Sequence, residues 1–116
     1  MSGHLLMHEL AITESIVAMV VERMPDTPVR RVRLEIGRLS GVVPDAVRFC
    51  FDLVTAGTSL DGAELEIDEP HGRVACRGCG TEFDSDEVLV LCPCGSADVE
   101  LLRGRELRIR SVEVAA

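Results

Sequence analysis

The chain carries Cys76-Arg77-Gly78-Cys79 and, after twelve residues, Cys92-Pro93-Cys94-Gly95. Two thiolate pairs joined by a short loop can close one tetrahedron around a metal ion. All-sulfur tetrahedral ligation selects zinc or iron, with zinc the commoner structural choice. Four thiolates leave no open position, so the spacing predicts a structural site on Cys76, Cys79, Cys92 and Cys94, not a catalytic one. A rubredoxin-like iron site stays open beside zinc. Backbone N–H groups in the tight turns around each pair can donate to the sulfurs. The second pair has one intervening residue where two are usual, so its turn must differ in shape. His71 is the outside ligand to expect if Cys94 does not bind. About 30 residues cannot build a core of their own, so metal binding should be coupled to folding of this module.

Met7-His8-Glu9 is the second chemical feature. A lone His near a terminus is usually a solvated side chain. Its meaning changes if Met7 carries a free amine. That amine, one or two backbone amides and the His8 imidazole could then surround a metal in a plane, and square-planar nitrogen ligation selects Ni(II) or Cu(II). Six residues precede Met7. Trimming of Met1 would leave Ser2-Gly3-His4, whose amine and third-position His form another planar chelate. Cys50 lies at apolar helical spacing and reads as a buried core side chain.

The elements that must position these groups follow from periodicity. Residues 13–24 read as a helix, with Ile16, Val17, Val20, Val21 and Met24 in one stripe, Thr13 as N-cap, and Pro25 and Pro28 as terminators. Over 29–36, Val32, Leu34 and Ile36 alternate with Arg31, Arg33 and Glu35, a strand with one buried face. A loop follows to Val43. Pro44 suits the first position of a helix running to about Thr55, with Val47, Cys50, Phe51 and Val54 on one face and Gly57 at its end. Ala63, Leu65 and Ile67 alternate with Glu64, Glu66 and Asp68 in a second strand, broken by Pro70-His71-Gly72. Leu107 and Ile109 then alternate with Arg108 and Arg110, and Val112 and Val114 continue in the opposite phase, which predicts a bulge near Ser111. This last strand should return to pair with the strand at 29–36. The expected architecture is α+β: a small mixed sheet with two helices, from residues 1–72 plus 105–116, and an inserted zinc-ribbon-like module at 73–104.

Composition excludes several classes. Apolar residues make up 47% of the 116, too many for a disordered chain, and the formal charge is −8. All twelve basic residues are Arg. Across 76–100 one Arg, Arg77, faces Glu82, Asp84, Asp86, Glu87, Asp98 and Glu100. That is a poor phosphate-binding surface, against a zinc ribbon that reads nucleic acid. No stretch approaches the roughly 20 apolar residues of a membrane span. The first residues show no signal-peptide pattern, so neither an anchor nor export is expected, and clustered cysteines without export favour metal thiolates in the cytoplasm.

Met7-His8-Glu9-Leu10 followed by Ile12-Thr13-Glu14-Ser15-Ile16 resembles the start of the HypA family of hydrogenase-maturation nickel chaperones. Glu35-Ile36-Gly37-Arg38-Leu39-Ser40-Gly41-Val42, Pro44-Asp45-Ala46 and Phe49-Cys50-Phe51-Asp52-Leu53 resemble its central strand, loop and helix. The cysteine module and Glu106-Leu107-Arg108-Ile109-Arg110-Ser111-Val112-Glu113 match as well. The resemblance runs from Met7 over nearly the whole chain. It implies a nickel-binding α/β domain with a zinc module, nickel held by the Met-His-Glu segment with His8 as essential ligand and Glu9 beside it, and zinc on the four cysteines. It implies delivery of nickel to the large subunit of nickel–iron hydrogenase with a nickel-handling GTPase partner, service to urease in some organisms, and no enzyme activity. A homodimer is left open.

Overall fold

The computed structural model describes residues 2–87 and 89–115, with side chains described from His8 onward. The elements are α1 (Ser2–Arg23), β1 (Val29–Ile36), α2 (Pro44–Thr55), β2 (Glu64–Asp68), β3 (Gly72–Cys76), β4 (Glu82–Ser85), β5 (Val99–Arg103) and β6 (Leu107–Val114). They form two three-stranded sheets, ordered β2-β1-β6 and β4-β3-β5. The last strand returns to pair with β1, as the sequence predicts.

The chain divides into two compact units. The first takes Met1–Leu34, Val42–Ile67 and Ile109–Ala116. Its core is Ile16, Val17 and Val20 from α1, Val29, Val32 and Leu34 from β1, Val47, Cys50 and Phe51 from α2, and Leu60 from the following turn. Cys50 is therefore core, as expected. Pro44 does stand at the start of α2. Arg31, at the middle of the sheet, bonds Glu64 and Glu66 of β2 and Glu113 of β6 at 2.7–3.0 Å. Each such surface pair contributes little by itself, but together they favour one strand order and register. Ile109 and Val112, three apart, line one hollow beside Met19, Val20 and Met24. Strict alternation would put them on opposite faces, so the change of phase at Ser111 is expressed in the structure.

Two expectations are corrected. The first helix does not start at Thr13 but runs from Ser2, and Thr13 is a buried interior residue. Its hydroxyl donates to the Glu9 carbonyl at 2.7 Å, a bond back to the preceding turn instead of a cap. Glu35, expected outward, is only 9% exposed. Arg108 covers it, with Nε donating to Oε1 at 2.6 Å.

The second unit takes Glu35–Gly41 and Asp68–Arg108. Here β3 pairs antiparallel with β4 on one side and β5 on the other, with an irregularity between Arg73 and Val74. The segment after β1 ties down both ends of this unit's long stretch. Arg38 N–H donates to Pro70 O at 3.0 Å, Leu39 N–H to Gly104 O at 2.7 Å, and Gly37 N–H to Glu106 O at 2.8 Å. Gly104 has φ +122°, and a Cβ on it would come within 2.7 Å of the Gly72 Cα. Gly104→Ala should therefore destabilise the protein by about 1–3 kcal/mol, from backbone strain plus overlap. Gly57→Ala, at φ +77° with open space around it, meets the strain alone. Urea titration of both variants tests this, and equal losses would show that the crossing at Gly104 has room to spare.

Candidate metal centres

Cys76 ends β3, Cys79 follows three residues on, and Cys92 and Cys94 lie in the loop before β5. The four Sγ atoms all lie within 4.8 Å of one another. Cys76 and Cys94 approach to 3.8 Å, and Cys79 and Cys92 to 3.6 Å. A tetrahedron with metal–sulfur bonds of about 2.3 Å has edges of about 3.8 Å, so one ion fits this donor set. All five cysteines are free thiols. His71 is not in the group; its Nδ1 lies 3.0 Å from both carboxylate oxygens of Asp86.

Both pairs use the same backbone device. The Cys79 N–H donates to Cys76 Sγ at 3.5 Å and the Cys94 N–H to Cys92 Sγ at 3.4 Å. The shortened second pair closes one residue earlier. Gly80 N–H bonds back to Cys76 O, four residues away, whereas Gly95 N–H bonds to Cys92 O, three away. Cys76 N–H reaches Thr81 O and Cys92 N–H reaches Ser96 O, again one residue shorter. The missing residue is thus absorbed within the turn, and Cys94 still joins the cluster.

The sulfurs do not share charge evenly. Thr81 donates from its hydroxyl and its backbone N–H to Cys79 and, with help from Cys92, holds that thiol down at about 6. The Cys79 N–H lowers Cys76. At Cys92 the Cys94 N–H pulls downward, but burial and the neighbouring sulfurs of Cys94, Cys79 and Cys76 prevail and push it up to about 12. The cluster thus favours the thiolate at Cys79 and the thiol at Cys92. Cys50 is raised by burial, with Glu9 and Glu14 adding to it, and stays an inert thiol.

The other candidate ligands lie on α1. His8 is 60% exposed in its side chain, while Glu9 beside it is fully buried. Glu9 Oε2 accepts the Val43 N–H at 2.8 Å. Glu9 Oε1 has no hydrogen-bond partner among the described residues, and His8 Nδ1 lies 4.0 Å from it. Because α1 begins at Ser2, Met7-His8-Glu9 is helical, and its backbone nitrogens belong to the helix's own hydrogen bonding. The imidazole is the open donor here. The side chains of His4 and Met7 lie outside the described residues. Sequence reading grouped the four cysteines, which do lie together, and named His8, which lies exposed on α1. It missed that Glu9 is buried, and its place on the stripe Glu9, Thr13, Ile16, Val20 was the available signal.

The family model described as hydrogenase/urease nickel incorporation, metallochaperone, HypA, matches residues 7–114. Hydrogenase maturation factor HypA of Nostoc punctiforme is 50% identical over 108 residues, covering 93% of this chain and 96% of that protein. The factor of the same name from Geobacter sulfurreducens is 44% identical over 109 residues, covering 93% and 99%. The solution structure of the Ni metallochaperone HypA from Helicobacter pylori aligns with a TM-score of 0.61 at 21% identity, over 93% of this chain and 97% of that one. A second HypA solution structure gives 0.65 at 23%, over 94% and 97%. At those identities the structural likeness is one of fold.

The uneven charge at the cysteines gives a count that can be measured. Loading the metal-free protein with one divalent ion at pH 7 should release fewer than four protons, because Cys79, at about 6, is already mostly ionised. At pH 5 Cys79 is protonated, so the count should rise by nearly one and the affinity should fall. Proton release in weakly buffered solution checks this; an unchanged count between the two pH values would show that Cys79 is not the low thiol.

Proposed function

The chain belongs to the HypA family of hydrogenase/urease nickel-incorporation metallochaperones, and on that premise we propose that it binds Ni(II) and hands it to the large subunit of nickel–iron hydrogenase. The observation that carries this reading is the family match over 7–114, which begins at Met7-His8-Glu9 itself. The proposed nickel site is that segment, with His8 as essential ligand and Glu9 completing it. A nickel-handling GTPase of the cytoplasm is the proposed partner. The protein performs no catalysis in this scheme: nickel is cargo, and the chemistry is ligand exchange.

The exposed His8 suits such a task. Nitrogen donors favour Ni(II) over the hard cations that carboxylates collect. An imidazole at the surface lets a recipient add its own ligands before the donor's leave. A closed four-sulfur site does not allow this easily, so Cys76, Cys79, Cys92 and Cys94 are proposed to hold structural Zn(II). In the proposed division, residues 1–72 and 105–116 handle nickel and residues 73–104 form the zinc module.

Two experiments test these assignments. His8→Ala should abolish nickel-dependent hydrogenase activation while the zinc content stays at about one per chain, as four thiolates closing one site require. Activation at the unsubstituted level would remove His8 from the scheme. For the cysteines, Cys76→Ser or Cys92→Ser should lose the zinc and unfold the module while helical circular dichroism is largely kept. Metal analysis reads the first effect, and a red protein carrying stoichiometric iron would overturn the zinc assignment.

A further inference from the structure

The four clustered cysteines alternate in exposure: Cys76 and Cys92 are buried, Cys79 and Cys94 are exposed. Two close sulfur contacts run between the turns, and each joins an exposed cysteine to a buried one. Cys79 Sγ lies 3.6 Å from Cys92 Sγ, and Cys94 Sγ lies 3.8 Å from Cys76 Sγ. Four cysteines allow three sets of two bridges. One set would bridge within each turn, and the shortened second pair works against it. A bond from Cys92 to Cys94 would close a small ring around Pro93, whose φ is fixed, so disulfide geometry is hard to reach there. If Cys76 and Cys79 joined each other, Cys92 and Cys94 would have only that ring left. Of the two sets that cross between the turns, one uses the two contacts already formed.

We propose that the cluster is a site of oxidation by hydroperoxides, in which Cys79 is joined to Cys92 and Cys94 to Cys76, so that two covalent bridges take the place of the ion. The release of zinc rests on the zinc reading above; the pairing of the sulfurs does not. The exposed Cys79 thiolate attacks one oxygen of hydrogen peroxide. The O–O bond breaks, hydroxide leaves, and a sulfenic acid remains on Cys79. The Cys92 thiolate attacks that sulfur, expels a second hydroxide and forms the S–S bond. Solvent protons turn both hydroxides into water. Cys94 and Cys76 repeat the sequence with a second peroxide. Each bridge gives up two electrons to one peroxide, and zinc departs as Zn(II) with its charge unchanged. Each pair has to close by about 1.6–1.8 Å, from the observed contact to an S–S bond of about 2.0 Å. Both bridges run from one turn to the other. The end of β3 therefore stays joined to the loop before β5 after the ion has left, whereas bridges within the turns would leave the two unconnected. The module is held shut in either state, and oxidation removes only its ion. Cys50, buried alone in the first unit, takes no part.

The full zinc-loaded chain, treated with hydrogen peroxide and then with a thiol-blocking reagent, tests this. Trypsin cuts after Arg77, and Glu-C protease cuts after Glu82 and Glu87. Cys76, Cys79 and the segment holding Cys92 and Cys94 then fall on separate peptides, and fragmentation at Pro93 tells the last two apart. Mass spectrometry without reduction should find the Cys79–Cys92 and Cys76–Cys94 bridges, with Cys50 blocked as a free thiol. A chromophoric chelator should record about one zinc released for every two peroxides consumed, as one four-sulfur site and two bridges require. Reduction with a dithiol should restore zinc binding in full. Bridges within the turns, or the set Cys76–Cys92 with Cys79–Cys94, overturn the proposal. Sulfinic or sulfonic acid at Cys79 without a bridge overturns it too, as do four free thiols after peroxide. If the purified chain carries no zinc, the zinc reading fails by itself, and the same mapping on the metal-free chain still decides the pairing.

Discussion

Four sulfurs within 4.8 Å of one another cannot all carry charge unless a cation lies among them. The second unit depends on that constraint. Its large buried apolar side chains, among the described residues, are Ile36, Val74, Cys76 and Cys92. Two of the four are members of the sulfur cluster. Without an ion, the unit has Ile36, Val74 and backbone pairing to hold three short strands, less than such a sheet normally needs. With one, the sulfur repulsion becomes attraction, and both turns are fixed at the same point. The antiparallel ladders β3–β4 and β3–β5 then have a rigid end to grow from, since Cys76 is the last residue of β3 itself.

The first unit solves the same problem by ordinary means. Val32, Leu34, Val47, Phe51 and Leu60 are nearly or wholly removed from water, and each contributes about 1.5–3 kcal/mol by burial. Its core is apolar and includes none of the clustered cysteines. On that unit α1 carries the exposed imidazole of His8, the proposed nickel ligand. A ligand that also held the fold together could not be surrendered without unfolding its carrier.

Much of this was legible in the sequence because the elements obey period rules. The strands at 29–36 and 107–114 alternate, α2 is bracketed by Pro44 and Gly57, and the cysteine spacing announces its own site. What escaped was polar residues on buried faces. Thr13 looked like a cap because its hydroxyl is usually spent on an orphan N–H, yet here it bonds the carbonyl of Glu9 inside the helix. Glu35 looked outward because it is charged and in phase with Arg31 and Arg33, and its long-range partner Arg108 helps to make burial tolerable. Leu60 sits in a turn, where no periodicity exists to mark it. For Glu35 the deciding partner is remote in sequence, for Leu60 there is no period to read, and for Thr13 the helix starts earlier than its first clear stripe.

The charge of the chain bears on selection as well as stability. Acidic residues outnumber basic ones by twenty to twelve. Many of the arginines are held close to carboxylates: Arg31 on β1, Arg48 with Asp45 on α2, and Arg73 and Arg77 with Asp84 and Asp98 in the second unit. Local pairing neutralises the sheets, and the surplus leaves a net negative field that raises the concentration of any cation nearby. Such a field does not discriminate, since it gathers magnesium and calcium as readily as a transition metal. Discrimination has to come from donor type. The proposed imidazole on α1 supplies nitrogen, which the hard cations do not seek, and the four thiolates supply sulfur in a tetrahedron that planar or octahedral nickel does not favour. The two proposed sites would thus differ in donor set and geometry within one small acidic chain, nitrogen at the surface of α1 and four sulfurs in the second unit.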